Sequence, residues 1–92
     1  MKPLRLRLRR RLNLEADAEG GGGMVFDTRT AAICACNASA WTAIAALQRG
    51  DDVEGLVKRI TAEFDVDVAR ARQDVLALVK ELRSLDMLET KE

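Results

Sequence analysis

The sequence of 92 residues contains no histidine and no tyrosine. Histidine is the commonest general base of enzymes, the commonest metal-ligating side chain and the usual partner of a catalytic nucleophile. An enzyme built from this chain would have to rely on Asp, Glu, Lys, Arg, Ser or Cys alone. The composition therefore argues against a stand-alone enzyme, and we expect no catalytic residue, no metal site and no cofactor.

Long apolar runs are also missing. No stretch approaches the roughly 20 apolar residues that a membrane-spanning helix needs, and no uninterrupted apolar run follows the basic N-terminus, as a secretory signal would require. Two cysteines without such a signal favour a reduced, cytoplasmic setting with no membrane partner. A content of 48% hydrophobic and 33% charged residues is typical of one small globular domain, here residues 1–92.

Charge is unevenly distributed, although the formal net charge is zero. Residues 1–11 hold six basic side chains and no acidic one, whereas residues 12–92 hold nine basic and fifteen acidic side chains. A nucleic-acid-binding domain usually carries its basic excess over the folded body. The acidic body therefore makes nucleic acid an unexpected partner.

Leucine and arginine alternate near the N-terminus, in PLRLRLRRRLNLE. Leu4, Leu6 and Leu8 would lie on one face of a strand, with the intervening arginines on the other. We interpret residues 4–14 as an amphipathic strand with a solvated basic face, and a nucleic-acid-binding arm is the alternative. The glycine-rich EADAEGGGG that follows predicts a flexible hairpin connection.

Two further short strands follow the glycines. They are MVFD, residues 24–27, and AAICAC, residues 31–36, and with the N-terminal strand they predict a three-stranded antiparallel sheet. In the last strand Ala32, Cys34 and Cys36 would point together towards the core.

From Asn37 onward the apolar period becomes helical and predicts three helices, separated at Gly50 and at a short FDVD connection. Side chains that can accept backbone N–H groups precede each helix: Asn37 or Ser39, Asp51 or Asp52, and Asp67. Three strands followed by three helices, with a tight turn between the last two, predict an α+β, winged helix-turn-helix-like fold.

The third helix, about residues 68–83, carries two apolar stripes. The first should face the core and consists of Val68, Ala71, Val75, Leu78 and Leu82. The second is rotated from it and consists of Arg72, Leu76, Val79 and Arg83. Because a surface helix of a single domain needs only one apolar stripe, the second indicates either a wider core contact or a docking groove.

The order of these segments resembles the PqqD-like family (coenzyme PQQ synthesis protein D-like), also called RiPP recognition elements. The resemblance is carried by VFD before a turn, CNASA at the start of a helix, GDDVEGLVKRITAEFDVD and QDVLALVKELRSLDML. It covers about residues 25–89 and leaves residues 1–24 as an N-terminal strand and glycine-rich loop. Cys36 stands where the family pattern has leucine. Asp86 stands where it has glycine, and aspartate can adopt the left-handed turn.

The resemblance implies a non-catalytic module that binds the leader segment of a ribosomally made precursor peptide and presents it to a modifying enzyme, often a radical S-adenosylmethionine enzyme. The leader would add as a strand to the sheet edge and lie against the third helix. Here the edge would be Ala31, Ala32, Ile33, Cys34, Ala35 and Cys36. The second stripe would form the other wall, where Leu76 and Val79 would take apolar leader side chains. Arg72 and Arg83 would meet acidic ones.

Two other functions fit parts of the sequence. A DNA-binding winged helix would use basic residues of the third helix, but Asp74 and Glu81 lie among them and the body is acidic. A redox or metal site at Cys34 and Cys36 would lack further ligands, since a tetrahedral zinc site usually has four, and the two thiols could be bridged only with strain. An open strand edge could also pair with a second copy, so a homodimer is a further alternative.

Overall fold

The computed structural model describes residues 4–91 of the chain. Within these residues, five strands and three helices form an α+β fold. The elements are β1 Arg5–Leu8, β2 Asn13–Ala16, β3 Gly23–Asp27, β4 Ala32–Cys36, α1 Ala38–Arg49, α2 Val53–Glu63, α3 Val68–Ser84 and β5 Leu88–Lys91. Among the described residues, no helix is both long enough and apolar enough to cross a membrane.

β2, β3 and β4 form the three-stranded antiparallel sheet that the sequence predicts, in the order β2-β3-β4. β3 pairs with β4 so that Val25 lies opposite Cys34 and Phe26 lies opposite Ile33. Val25 and Cys34 are buried, whereas Ile33 is 59% exposed. One face of the sheet therefore covers the core, and β4 forms one of its two edges.

The glycine-rich segment closes the β2–β3 hairpin, as predicted. At its base, the N–H of Asp17 donates to the carbonyl of Gly22 at 2.8 Å. Gly23 has no room for a side chain, because an added Cβ would lie 2.7 Å from the Glu15 carbonyl oxygen and 2.8 Å from the Trp41 ring. This close approach lets the ring of Trp41, in α1, cover the start of β3.

The N-terminal strand differs from the single strand predicted for residues 4–14. A turn, in which the N–H of Leu12 donates to the carbonyl of Arg9 at 3.3 Å, divides it into β1 and β2. β1 leaves the three-stranded sheet and pairs antiparallel with β5, a strand that the sequence analysis does not predict. Two of the three leucines of the predicted apolar face, Leu6 and Leu8, are buried, whereas Leu4, which precedes β1, is 51% exposed.

Each helix begins at one of the predicted capping residues. The three cap side chains that accept a backbone N–H of the first turn are Asn37 for α1, Asp52 for α2 and Asp67 for α3. α1 ends at Gly50, whose φ of 99° lies in the left-handed region that glycine adopts without strain. Asp86 follows α3 with a φ of 57° and so makes the left-handed turn at the position where the family resemblance expects glycine.

Burial of one stripe fixes the rotation of α3. This core stripe consists of Ala71, Val75, Leu78 and Leu82, all buried as predicted. Val68, the first residue of the helix, is 51% exposed, so its predicted place in the core is wrong. Successive positions of a helix differ by about 100°, which places one flanking stripe on each side of the core stripe. The preceding stripe, one position earlier, is Arg70, Asp74, Ala77 and Glu81; the following stripe, one position later, is Arg72, Leu76, Val79 and Arg83.

A buried aspartate joins three turns of the fold. Asp27, 1% exposed, accepts from the Nε of Arg11 and from the backbone N–H of Arg29, each at 2.9 Å. Arg11 also donates to the carbonyl of Asp86 at 3.0 Å, and Arg9 donates to the carboxylate of Asp86 at 2.9 Å. The end of β3, the turn after β1 and the turn after α3 are thereby held together.

The core stripe of α3 gives a test of the helix rotation. Leu82 is fully buried and Leu76, on the following stripe, is 50% exposed. We expect Leu82→Ala to lower the free energy of unfolding by about 2–5 kcal/mol, because it leaves a cavity. Leu76→Ala should change it by about 0.5 kcal/mol or less. Urea unfolding followed by circular dichroism measures both, and equal losses would contradict the assigned rotation.

The buried aspartate gives a test by pH. Burial acts to raise the pKa of Asp27, but the hydrogen bonds from Arg11 and Arg29 and the charges of both arginines outweigh it, so the pKa is lowered. A lowered pKa in the folded state stabilises the fold above about pH 4, and this contribution is lost as the pH falls through that pKa. We expect Asp27→Asn to lower the free energy of unfolding at neutral pH and to flatten its decline between about pH 5 and pH 2.

Urea titrations at several pH values measure this dependence. Asp65→Asn, which removes an exposed carboxylate between α2 and α3, is the matched control and should retain the wild-type slope. An unchanged slope in Asp27→Asn would show that the carboxylate of Asp27 does not contribute to the acid sensitivity of the fold.

Candidate functional site

β4 is an edge strand with a free outer side. Its side chains alternate as predicted: Cys34 and Cys36 are buried, whereas Ile33 and Ala35 are exposed. Among residues 4–91, β4 makes no backbone–backbone hydrogen bond outside its ladder with β3. Alternate residues of an edge strand direct their N–H and C=O groups away from the sheet, so β4 offers a row of free donors and acceptors. Of the six predicted edge residues, Ala31 lies in the preceding turn with a φ of 64°, and the other five form β4.

A groove of about 270 Å³ lies between β4 and α3. The whole preceding stripe of α3 contributes the helix wall. The strand wall consists of Ala35 of β4 together with Asn37, Ser39 and Ala40 at the start of α1. The apolar floor consists of Ile60 of α2 with Val75 and Leu78 of the core stripe, all three buried. Ala35 and Ala77 are small, so a second backbone can approach both walls closely.

The groove has an excess of negative charge. Its charged side chains, among those described, are Arg70, Asp74 and Glu81. The Nε of Arg70 donates to the carboxylate of Asp74 at 3.3 Å, whereas Glu81 forms no ion pair within the described part of the chain. The charges of Arg70 and Asp74 offset each other, so the carboxylate of Glu81 gives the groove its net negative charge.

The following stripe of α3 faces a different cleft. Leu76, Val79 and Arg83 line a space of about 500 Å³ together with β1 and the start of α2. Val79 is buried and widens the core contact of α3, whereas Leu76 is 50% exposed. Arg72 forms a two-point ion pair with Glu54 of α2. The structure thus separates the predicted strand edge from the predicted helix wall, which were expected to form one groove. The reason is the rotation of α3, because the two flanking stripes are two positions apart and therefore about 200° apart.

The cleft of the following stripe offers no free strand edge. One side of β1 pairs with β5. On the other side, the N–H of Leu6 donates to the carbonyl of Asp51 at 2.7 Å, and the N–H of Asp51 donates back to the carbonyl of Leu6 at 3.0 Å. Within residues 4–91, a free strand edge and an apolar floor are therefore found together in the β4–α3 groove and not in this larger cleft.

Sequence reasoning missed the helix wall of the β4–α3 groove. The sequence marks Asp74 and Glu81 only as charges unfavourable for DNA binding, and it gives no signal at Ala77. None of the preceding stripe is strongly apolar, so the stripe has no hydrophobic period of its own. Its signal is indirect: it is the core stripe shifted back by one position, and the core stripe is visible in the sequence.

Cys34 and Cys36 are free thiols whose sulfur atoms lie 3.9 Å apart. Burial, with smaller contributions from Cys36 and Glu81, raises the pKa of Cys34 to about 12. Burial also raises the pKa of Cys36. Within the described residues, no group of three or more Cys, Asp or Glu side chains could hold a metal ion. The two thiols are neutral packing groups beneath the strand edge.

A family model for coenzyme PQQ synthesis protein D (PqqD) matches residues 22–88, which is more than half of the chain. The chain belongs to the PqqD family. The match includes β3, β4 and all three helices, so both walls of the β4–α3 groove lie within the matched part of the chain. β1 and β2 precede the match.

A solved structure of similar fold is described as TbiB1 in complex with the TbiA(beta) leader peptide. It has a TM-score of 0.76 at 18% sequence identity, over 90% of this chain and 94% of the other. At this identity the likeness shows the fold, which this PqqD-family chain shares over nearly its whole length. A comparison with curated proteins found no match.

The thiols give a test of their packing role. A pKa of about 12 at Cys34 lowers its thiolate fraction near pH 8 about a thousandfold below that of a thiol with the ordinary value of 9.0. We expect iodoacetamide to leave both cysteines unmodified in the native protein and to modify both in urea, as measured by intact mass. Rapid modification of the native protein would show that the thiols are reactive.

Proposed function

We propose that this member of the PqqD family is a non-catalytic module that binds the leader segment of a ribosomally made precursor peptide. The observation that carries the proposal is the free backbone edge of β4 beside the apolar floor of the β4–α3 groove. The leader adds to β4 as a fourth strand and packs one row of its side chains against α3.

Strand addition divides affinity and specificity between two parts of the site. Main-chain hydrogen bonds to β4 hold any extended peptide, whatever its sequence. Because side chains of a strand alternate, every second residue of the peptide points into the groove. An apolar side chain there would contact Val75 and Leu78, and these pockets select among sequences.

Two findings on related proteins support the proposal. PqqD-family members are similar to this chain over the segment that builds the groove. TbiB1, which has the same fold, is described in complex with a leader peptide. Transfer of that role to this chain is an analogy at the level of the fold, which the open edge of β4 supports on its own geometry.

A module without catalytic groups needs a second protein to modify the bound peptide. We propose that this chain presents the leader to a modifying enzyme, of the radical S-adenosylmethionine class that the family resemblance implies. The two free thiols, with no disulfide between them, favour the reducing cytoplasm as the place of this reaction.

A DNA-binding winged helix has less support from the same structure. α3 would be the recognition helix, whose basic side chains must reach the duplex. Arg70 is paired with Asp74, and Arg72 is paired with Glu54. Carboxylates at these positions offset the charge that phosphate contacts require.

Substitutions on the two flanking stripes distinguish the grooves. A phage-displayed library of random linear peptides is panned against the immobilised chain, and one enriched peptide is synthesised with a fluorescent label. We expect Ala77→Arg, which fills the β4–α3 groove, to weaken its binding about tenfold or more in fluorescence polarisation. Leu76→Arg, the matched control on the opposite side of α3, should bind as the wild type does.

Amide chemical shifts locate the peptide independently. Binding should perturb β4 and the preceding stripe while the cleft of Leu76 and Val79 stays unchanged. If Leu76→Arg abolishes binding and Ala77→Arg does not, the peptide lies on the following stripe. This result would support the helix wall that the sequence predicts, which consists of Arg72, Leu76, Val79 and Arg83. Sequence-selective binding of double-stranded DNA at physiological salt, without peptide binding, would replace the proposal by DNA recognition.

A further inference from the structure

Glu81 places an uncompensated carboxylate over the apolar floor of the β4–α3 groove. It is the last residue of the preceding stripe and lines the groove beside Leu78. Within the described residues it has no ion-pair partner, although Arg70 and Asp74 of the same stripe are paired with each other. A ligand that fills the groove therefore meets one free negative charge.

The surroundings of Glu81 strengthen its effect on a ligand. Its carboxylate is close enough to Cys34 and Cys36 to raise the pKa of both thiols, as a smaller contribution after burial. Both thiols remain neutral at physiological pH and cannot offset the charge. When a peptide strand covers the groove and excludes water, a charge at such an apolar boundary interacts more strongly than one in bulk solvent.

The chain supplies no basic side chain for this carboxylate from the strand side. Residues 31–36 consist of alanine, isoleucine and cysteine alone. The arginines expected to face the peptide, Arg72 and Arg83, lie on the opposite side of α3. The groove therefore favours a basic peptide side chain, whereas those two arginines would favour an acidic one.

We infer that the peptide bound in the β4–α3 groove carries a lysine or arginine side chain that pairs with Glu81, next to an apolar side chain that contacts Val75 and Leu78. The inference rests on the proposed function and names the chemistry of the peptide that the groove selects. An acidic residue at the same peptide position would lie against an unneutralised carboxylate and would be rejected.

The test repeats the selection of random displayed peptides on three immobilised proteins. Wild type should enrich sequences with lysine or arginine at one fixed offset from an apolar residue. Glu81→Lys should enrich aspartate or glutamate at that offset. Glu89→Gln, which removes a negative charge on β5 outside the groove, is the control and should give the wild-type motif.

A charge-swap cycle then measures the pair directly. For one enriched peptide, we expect Glu81→Gln to weaken binding about fivefold or more, because exposed ion pairs contribute roughly two- to fivefold and the bound peptide shields this pair from water. Glu81→Lys should weaken it further, and exchange of the basic peptide residue for glutamate should restore binding to Glu81→Lys while it abolishes binding to wild type. Because Glu81 is exposed, these variants should keep the wild-type circular dichroism spectrum.

The failures of the two proposals give different results. Enriched peptides that shift the amides of β4 but show no basic preference, or that bind Glu81→Lys and wild type equally, would overturn the role of Glu81 and leave strand addition intact. Peptides that bind without perturbing β4, or an absence of any enriched peptide on wild type, would overturn the proposed function and the inference with it.

Discussion

Burial of a single stripe of α3 is the constraint on which the rest of the structure depends. Ala71, Val75, Leu78 and Leu82 must leave water together, and only one rotation of the helix achieves this. That rotation turns the preceding stripe towards β4 and the following stripe towards β1. Apart from Val79, which is itself buried in the core, the residues that decide the chemistry of both surfaces contribute little to the core.

Much of the fold follows from local rules and can be predicted from the sequence. The caps Asn37, Asp52 and Asp67 begin the helices because their side chains accept orphan N–H groups. The alternation in β4 buries Cys34 and Cys36 because neighbouring residues of a strand face opposite ways. The pairing of the N-terminal strand does not follow from local rules, since its leucines alternate identically whichever partner they pair with. Its division into β1 and β2 depends on the pairing of β1 with β5, a strand distant in sequence that no periodicity predicts.

The candidate site shows the same division between local and tertiary information. An apolar stripe has a helical period in the sequence, and this period predicts Leu76 and Val79 as a docking wall. The helix wall that faces β4 contains small and charged residues, Ala77 and Glu81 among them, and has no such pattern. Helical periodicity places the preceding and the following stripe on opposite sides of α3. Which flank meets the open strand depends on how the connections place the sheet, and that is set by tertiary packing.

An open edge such as β4 normally endangers a protein, because a second copy can pair with it, and many edges are protected by lysine, proline or a covering element. β4 has neither residue type, and residues 31–36 carry no basic side chain. The β4 strand of a second copy would therefore bring no basic side chain of its own to Glu81. A foreign strand with a basic residue would neutralise this carboxylate. With the proposed pairing of Glu81, a heterologous peptide that carries a basic residue would gain an ion pair at this edge that a second β4 would not gain.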